Sequence, residues 1–149
     1  MRIQREWFRC DDGITRPMLS VTLQAADGSP VRDLFLIDSG ADRTVLSAQL
    51  LAGLRTTHAR PEPGQQLAGI GGQQAYVLVQ TSLQFNRDDG VPILLRGEFA
   101  AFTDPAATDL SILGRDVLNL FDVILSRPRS QILLLAAPHT YRVEASEER

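Results

Sequence analysis

The segment from Leu34 to Asp42 reads Leu-Phe-Leu-Ile-Asp-Ser-Gly-Ala-Asp, so a carboxylate, a hydroxyl and a glycine directly follow an apolar run. Four consecutive large apolar residues predict a strand buried on both faces, and Gly40 allows the chain to turn back just beyond Asp38. We expect Asp38 to lie at the edge of a core, partly removed from water. Desolvation and a second nearby carboxylate both favour the protonated form of an acid, which suits proton transfer. The pattern therefore predicts acid–base chemistry that needs a second carboxylate.

Three further segments could position this acid or its substrate. Ser47 stands at the N-cap of a predicted helix over residues 48–53. Residues 67–72, Leu-Ala-Gly-Ile-Gly-Gly, form a glycine-rich tip typical of a mobile hairpin whose backbone approaches a ligand. Residues 110–118, Leu-Ser-Ile-Leu-Gly-Arg-Asp-Val-Leu, predict a second apolar strand that ends in glycine, followed by a short helix with Asp116 near its N-terminus.

In this combination and order, the segments resemble the retropepsin-like aspartic proteases, a single-domain family that includes retroviral proteases and bacterial relatives. The active-site loop corresponds to residues 38–42, with Asp-Ser-Gly in place of the commoner Asp-Thr-Gly. The flap corresponds to residues 68–72, and the apolar-apolar-Gly segment to residues 112–114, after which Arg115-Asp116 opens the helix. The resemblance spans residues 18 to about 135, nearly the whole chain.

The resemblance implies a mainly β fold: a retropepsin-like acid protease barrel with one short C-terminal helix, active as a two-fold homodimer. It also implies an aspartic endopeptidase that hydrolyses peptide bonds with water held between two aspartates. A chain of 149 residues with one Asp-Ser/Thr-Gly must take its second aspartate from another copy of itself. The expected partners are thus a second subunit and a polypeptide substrate.

The roles of individual residues come from the same resemblance. The catalytic loop is Asp38, Ser39 and Gly40, in which the Ser39 hydroxyl braces the opposite loop and does not react. The substrate main chain is expected to contact Ala41, Asp42, Gly69, Ile70, Gly71, Gly72 and Ile112. Asp42 is also expected to pair with Arg115 and tie the loop to the helix near the interface. The alternative is that Asp42 caps a turn and Arg115 is solvated.

Alternating and continuous apolar segments separated by turn residues predict the remaining strands. These strands span residues 18–23, 31–38, 76–85, 91–102, 122–126 and 131–135. The resemblance also implies terminal strands that interleave across the dimer axis, and the hairpin 122–126/131–135 is the candidate for that role. We expect an N-terminal extension over residues 1–15, the protease domain over 16–138 and a polar tail over 139–149.

Composition mostly excludes other classes of protein. The net charge is −3 and the sequence pI is near 5.3, so no basic face indicates nucleic acid or an anionic membrane. The N-terminus lacks a signal-peptide core, and no apolar run approaches the roughly 20 residues of a membrane span. A cytoplasmic protein is expected. Cys10 is the single cysteine, and the pattern predicts neither a metal site nor another cofactor.

The same residues allow other interpretations. A non-catalytic dimer that keeps the fold as a peptide-binding or scaffold module remains the alternative function. A nucleic-acid-binding barrel fits neither the acidic balance nor the scarcity of aromatic residues. Ser39 lacks the Gly-x-Ser-x-Gly elbow of a serine hydrolase, and the glycines at 69–72 lack the lysine of a phosphate-binding loop. The acidic pairs at 11–12 and 88–89 are expected to be solvated turns, and His58 and His139 to be surface residues.

Overall fold

The computed structural model of the protein describes residues 1–64, 67–69, 72–106 and 110–140. The first half of the chain contains β1 (Arg2–Glu6), β2 (Phe8–Arg9), β3 (Thr15–Arg16), β4 (Met18–Gln24), β5 (Pro30–Ile37), β6 (Val45–Leu46) and helix α1 (Ala48–Leu54). The second half contains β7 (Leu67–Gly69), β8 (Gly72–Gln74), β9 (Tyr76–Asn86), β10 (Pro92–Phe102), β11 (Ser111–Leu113), helix α2 (Arg115–Leu118), β12 (Asp122–Ser126) and β13 (Gln131–Leu135).

Six strands close a barrel in the order β10-β6-β11-β5-β4-β9. β11 runs parallel to β5 and β6 runs parallel to β10, while the other neighbours are antiparallel. Large side chains that are at most 2% exposed belong to its core, among them Leu19, Leu23, Phe35, Leu83 and Phe85. Burying each such side chain favours folding by about 1.5–3 kcal/mol. The predicted mainly β barrel is confirmed.

Two short helices interrupt the strands. The Ser47 hydroxyl caps α1 by accepting a hydrogen bond from the backbone N–H of Leu50 at 3.1 Å, as the sequence predicted. Leu50 and Leu54 are buried, and Arg55 ends the helix in a left-handed conformation with φ of 50°. α2, the predicted C-terminal helix, follows Gly114 and buries Val117 and Leu118.

The two ends of the chain meet in a second sheet. β13 lies in the middle of this sheet, antiparallel to β1 on one side and to β12 on the other. Ile3 of β1 is fully buried together with Ile132 and Leu134 of β13. Part of the segment 1–15 therefore packs into the core, although the predicted boundaries of extension, domain and tail remain predictions. Residues 141–149 of the predicted tail lie outside the described residues.

None of the helices in the described part of the chain has the length and apolar character that crossing a membrane requires.

Candidate active site

Asp38 directly follows Ile37, the last residue of β5. Its backbone N–H donates to the carbonyl oxygen of Leu113 at 3.1 Å, one residue beyond the parallel pairing of β5 with β11. Ile37 and Leu113 are buried, whereas Asp38 is half-buried. The core thus holds the backbone of Asp38 while its carboxylate lies at the surface of the barrel.

The loop beyond Asp38 orients that carboxylate. The backbone N–H of Gly40 donates to Asp38 Oδ1 at 3.0 Å, and the N–H of Ala41 donates to the Asp38 carbonyl oxygen at 3.2 Å. A Cβ atom at position 40 would lie 3.2 Å from Asp38 Oδ1, so a side chain there would crowd the acid. Ser39 and Gly40 are exposed, and the Ser39 hydroxyl forms no hydrogen bond with any residue that the structure describes.

The loop is joined to α2 by backbone hydrogen bonds. The N–H of Arg115 donates to the carbonyl oxygen of Ala41 at 2.8 Å, and the N–H of Asp116 donates to that of Asp42 at 3.3 Å. Position 114 admits only glycine, because a Cβ atom there would lie 2.4 Å from the carbonyl carbon of Arg43. Gly114 therefore allows the two backbone segments to touch.

Thr44 forms a buried polar link between the same two segments. Its backbone N–H and its hydroxyl both donate to Asp116 Oδ1, at 2.9 and 2.7 Å. The hydroxyl oxygen also accepts a hydrogen bond from the N–H of Gly114 at 3.1 Å. Thr44 is only 1% exposed, so this hydroxyl must be satisfied inside the protein. We refer to Thr44, Gly114 and Asp116 as the threonine frame.

A second polar chain holds β5, β11 and α1 in register. The Ser111 hydroxyl donates to Asp33 Oδ2 at 2.8 Å and accepts a hydrogen bond from the N–H of Ser47 at 3.0 Å. Ser111 is 2% exposed and Ser47, the cap of α1, is 9% exposed. We call residues 38–42 the acid loop. The strand that carries Asp38 is thus fixed to its neighbours on both sides of this loop.

Asp42 and Arg115 form the expected ion pair, through Asp42 Oδ1 and Arg115 Nη2. Within one chain the pair is exposed: 79% of the Asp42 side chain and 49% of the Arg115 side chain are accessible. An exposed ion pair stabilises a fold by only about 0–1 kcal/mol. Breaking a buried ion pair costs about 3–5 kcal/mol, but this cost does not apply to the exposed pair of the single chain.

The remaining predicted substrate residues lie on two other elements. Ile112 of β11 is half-buried and is paired with Leu36 of β5 and Val45 of β6, beside the acid-bearing strand. Gly69 and Gly72 are paired with each other in the β7–β8 hairpin, and the role of this hairpin as a flap remains a prediction. Ile70 and Gly71 lie outside the described residues.

Asp12, Asp89 and His139 each pair with another side chain. Arg16 donates to both oxygens of Asp12, and these hydrogen bonds lower the pKa of Asp12 to about 2. Asp89 pairs with Arg87, and His139 lies 2.7 Å from Asp122. Within residues 1–64, 67–69, 72–106 and 110–140, no three His, Cys, Asp or Glu side chains cluster as a metal site.

The threonine frame is the part of the site that sequence reasoning missed. The sequence pattern predicts for Asp116 only a position near the start of a short helix, and for Thr44 it predicts no role in the site. The two residues are 72 positions apart, so their contact depends on the tertiary fold. The available signal was a hydroxyl residue two positions after the loop 38–42 and an acid directly after the Gly-Arg pair at 114–115.

The family model described as retroviral aspartyl protease matches residues 14–126. A comparison with curated proteins found no match.

Two similar solved structures are proteases. EIAV protease complexed with the inhibitor HBY-793 is 26% identical, with 70% of this chain and 86% of that chain covered and a TM-score of 0.46. A retropepsin-like aspartic protease from Rickettsia conorii is 13% identical, with 90% of each chain covered and a TM-score of 0.53. The second similarity shows a shared fold.

Proposed function

We propose that this chain, which belongs to the retroviral aspartyl protease family, is an aspartic endopeptidase in which two Asp38 carboxylates, one from each subunit of a homodimer, hydrolyse peptide bonds. The observation that carries the proposal is the position of Asp38 within the matched region. Its backbone is fixed at the end of a barrel strand, and its carboxylate accepts the Gly40 N–H at the surface.

The proposed chemistry needs two carboxylates that share one proton. Carboxylates about 3 Å apart cannot both ionise easily, a behaviour for which aspartic proteases are the standard example. The charged Asp38 takes a proton from water, while the neutral Asp38 donates its proton to the oxygen of the scissile carbonyl. The water attacks the carbonyl carbon directly, so no covalent intermediate with the enzyme forms.

The number of acid loops supports the proposed homodimer. The sequence has one Asp-Ser-Gly, so a two-fold axis beside Asp38 is the simplest way to bring a second carboxylate into the site. The exposure of Ser39 and Gly40 in the single chain leaves these residues accessible to a partner loop. The Ser39 hydroxyl is proposed to brace that loop across the axis.

The proposed substrate is an extended polypeptide. Gly40, Ala41, Asp42 and Ile112 would contact its main chain from the barrel side. The flap segment from Gly69 to Gly72, with Ile70 and Gly71, would close over it and limit water access. No cofactor, nucleic acid or membrane is part of the proposal, and a cytoplasmic location remains an expectation.

The test is proteolysis by matched aspartate variants. Wild type, Asp38→Asn and the control Asp89→Asn would be incubated with denatured protein and a peptide library at several pH values. We expect Asp38→Asn to fold normally, by circular dichroism, and to lose cleavage by several orders of magnitude. Asp89 lies in a turn and pairs with Arg87, so its replacement should leave cleavage unchanged.

Full activity of a clean Asp38→Asn preparation would contradict the mechanism. Tight peptide binding by the wild type without cleavage at any pH would instead favour the non-catalytic peptide-binding module.

A further inference from the structure

Two cavities in the described part of the protein have the same volume, about 420 Å³, which lies within the range of small-molecule sites. The first cavity lies beside β1, and charged side chains of both signs line it: Arg5, Glu6, Asp88 and Arg129. Arg5 already pairs with Asp88 at 3.0 Å. The first cavity therefore contains counter-charges for its own cations.

The second cavity lies where α1 and the segment after it meet the start of β9 and the end of β10. It is lined by Leu51, His58, Arg60, Ala75, Tyr76, Val77 and Thr103, and we call it the stem cavity. None of these seven residues is acidic. The stem cavity thus combines basic and polar side chains with apolar ones, and its lining supplies no carboxylate.

Backbone hydrogen bonds hold two walls of the stem cavity together. The N–H of Ala59 donates to the carbonyl oxygen of Leu78 at 2.8 Å, and the N–H of Leu78 donates to that of Ala59 at 2.5 Å. The chain is extended at this bridge, so the side chains of His58 and Arg60, on either side of Ala59, point to the same face. Both side chains line the cavity.

Arg60 brings a guanidinium to this wall without a counter-ion. Its side chain forms no ion pair or hydrogen bond with any residue that the structure describes. By contrast, Arg2, Arg16 and Arg87 each pair with an aspartate of the same chain. A guanidinium binds a carboxylate through two parallel N–H···O bonds, so a carboxylate is the group that this wall fits best.

Part of the lining is apolar. Val77 is 3% exposed and belongs to the core of the barrel, and Leu51 packs against the same core from α1. Ala75 is exposed, and its short side chain leaves room beside them. A ligand that carries an aliphatic group next to its carboxylate would cover this apolar surface.

We propose that the stem cavity is a regulatory site for a carboxylate carried on a short aliphatic body. Arg60 binds the carboxylate, and Leu51 and Val77 contact the aliphatic part. Two sources supply this chemistry, a free aliphatic acid and the C-terminal residue of a peptide. An endopeptidase generates a new C-terminal carboxylate with every cleavage, so the second source would be its own product.

The position of the cavity gives the regulation its route. Ala75 and Tyr76 directly follow β8, so they form the base of the β7–β8 hairpin that is proposed to act as a flap. A ligand that bridges Arg60 and Val77 stabilises the arrangement in which it binds. Movement of the hairpin base would break these contacts, so saturating ligand should lower kcat severalfold. This effect, unlike the binding itself, rests on the proposed function.

Binding is tested by ¹H–¹⁵N NMR titration of the full chain carrying Asp38→Asn, so that the result does not depend on cleavage. The probes are N-acetyl-leucine, its neutral amide N-acetyl-leucinamide, and isovalerate, a free acid with the same isobutyl group. We expect N-acetyl-leucine to shift the resonances of residues 58–60 and 75–77, and the amide to leave them unchanged. Equal shifts with isovalerate would show that a free acid suffices, and their absence would assign the site to peptide termini.

Two substitutions test the lining. Arg60→Gln should weaken the Kd for N-acetyl-leucine about tenfold or more, because the hydrogen bonds to a charged group are lost. The control Arg96→Gln removes an exposed arginine of β10 and should bind like the parent. Ala75→Glu places a carboxylate at an exposed position of the lining and should prevent binding, whereas Ala75→Gln, of equal size, should retain more of it.

The outcomes separate this inference from the proposed function. Equal shifts with N-acetyl-leucine and its amide, no shifts with either acid, shifts confined to residues 38–42, or unchanged binding by Arg60→Gln would overturn the site. Binding that leaves the kcat of a proteolytic wild type unchanged would overturn the regulation. Arg60-dependent binding by a wild type without Asp38-dependent cleavage would support the binding site and refute the protease.

Discussion

Besides the backbone hydrogen bonds, two side-chain links connect residues 38–44 to the segment of helix α2, and they lie in opposite environments. The threonine frame is buried: the Thr44 hydroxyl donates to Asp116, accepts from Gly114 and belongs to a residue that is 1% exposed. The Asp42–Arg115 ion pair is largely exposed in the single chain. A buried hydroxyl that loses its partners costs about 1–3 kcal/mol, whereas an exposed ion pair contributes about 0–1 kcal/mol.

This difference assigns the two links to different tasks. The threonine frame fixes the loop within one chain, so its loss should lower folding stability and activity together. The ion pair contributes little within one chain, so any large effect of its loss should arise where a partner covers it. The predictions below test this division, beginning with the largest expected effect.

Gly114→Ala should have the largest effect on stability. The new Cβ would lie 2.4 Å from the Arg43 carbonyl carbon, so the loop and α2 must separate. We expect a loss of about 3 kcal/mol or more in the free energy of unfolding, measured by urea denaturation, and no measurable cleavage. The control is Gly53→Ala in α1, where nothing lies within 4 Å of the new Cβ, and which should gain about 0.5–1 kcal/mol. Equal stability of the two variants would contradict the close contact.

Thr44→Val should have the next largest effect. Valine keeps the shape of threonine but leaves the Gly114 N–H without its acceptor and removes a donor to Asp116. We expect a loss of about 2 kcal/mol in the free energy of unfolding and a lower kcat. Thr44→Ser keeps the hydroxyl and should retain most of the activity. If valine and serine behave alike, the frame is not what positions the loop.

Arg115→Lys should leave the stability of the single chain within about 1 kcal/mol of the wild type, because the ion pair is exposed there. Lysine keeps the charge but lacks the planar fork of arginine, so we expect weaker dimerisation in sedimentation experiments. Activity should partly recover at high protein concentration through mass action. Arg96→Lys, on an exposed part of β10, is the matched control. A fully dimeric and fully active Arg115→Lys at low concentration would show that Arg115 is only a surface residue.

Ser39→Thr should have the smallest effect, because the hydroxyl proposed to brace the partner loop is kept. Ser39→Ala removes that hydroxyl and should weaken dimerisation and cleavage together. Acylation of Ser39 by a serine-directed inhibitor with loss of activity would contradict the bracing role.

Local sequence patterns predicted most of the elements. The predicted hairpins 76–85/91–102 and 122–126/131–135 are confirmed. They could be predicted because the alternating strand residues and the turn residues between them are adjacent in sequence. The predicted helix capped by Ser47 is also confirmed, and it could be predicted because the cap and the helix are adjacent in sequence. The contact between Asp42 and Arg115 is present, but its proposed role at an interface remains a prediction.

Contacts between distant segments could not be predicted in the same way. Arg2–Glu6 contains one apolar residue, Ile3, so its pairing with β13 leaves little trace in the local pattern. The bond from Thr44 to Asp116 depends on the barrel bringing β6 and β11 together. The exposure of the Asp42–Arg115 pair depends on tertiary structure that no spacing rule describes.

The most direct test of the central claim, that two subunits each supply Asp38, is a mixing titration. Inactive Asp38→Asn would be added to a constant amount of wild type under conditions that allow subunit exchange, and cleavage would be measured. Heterodimers with one aspartate should be inactive, so an equal amount of variant should leave about half of the starting activity and larger amounts progressively less. Activity that stays constant at every ratio would show that a single chain carries the whole site, and would contradict the account.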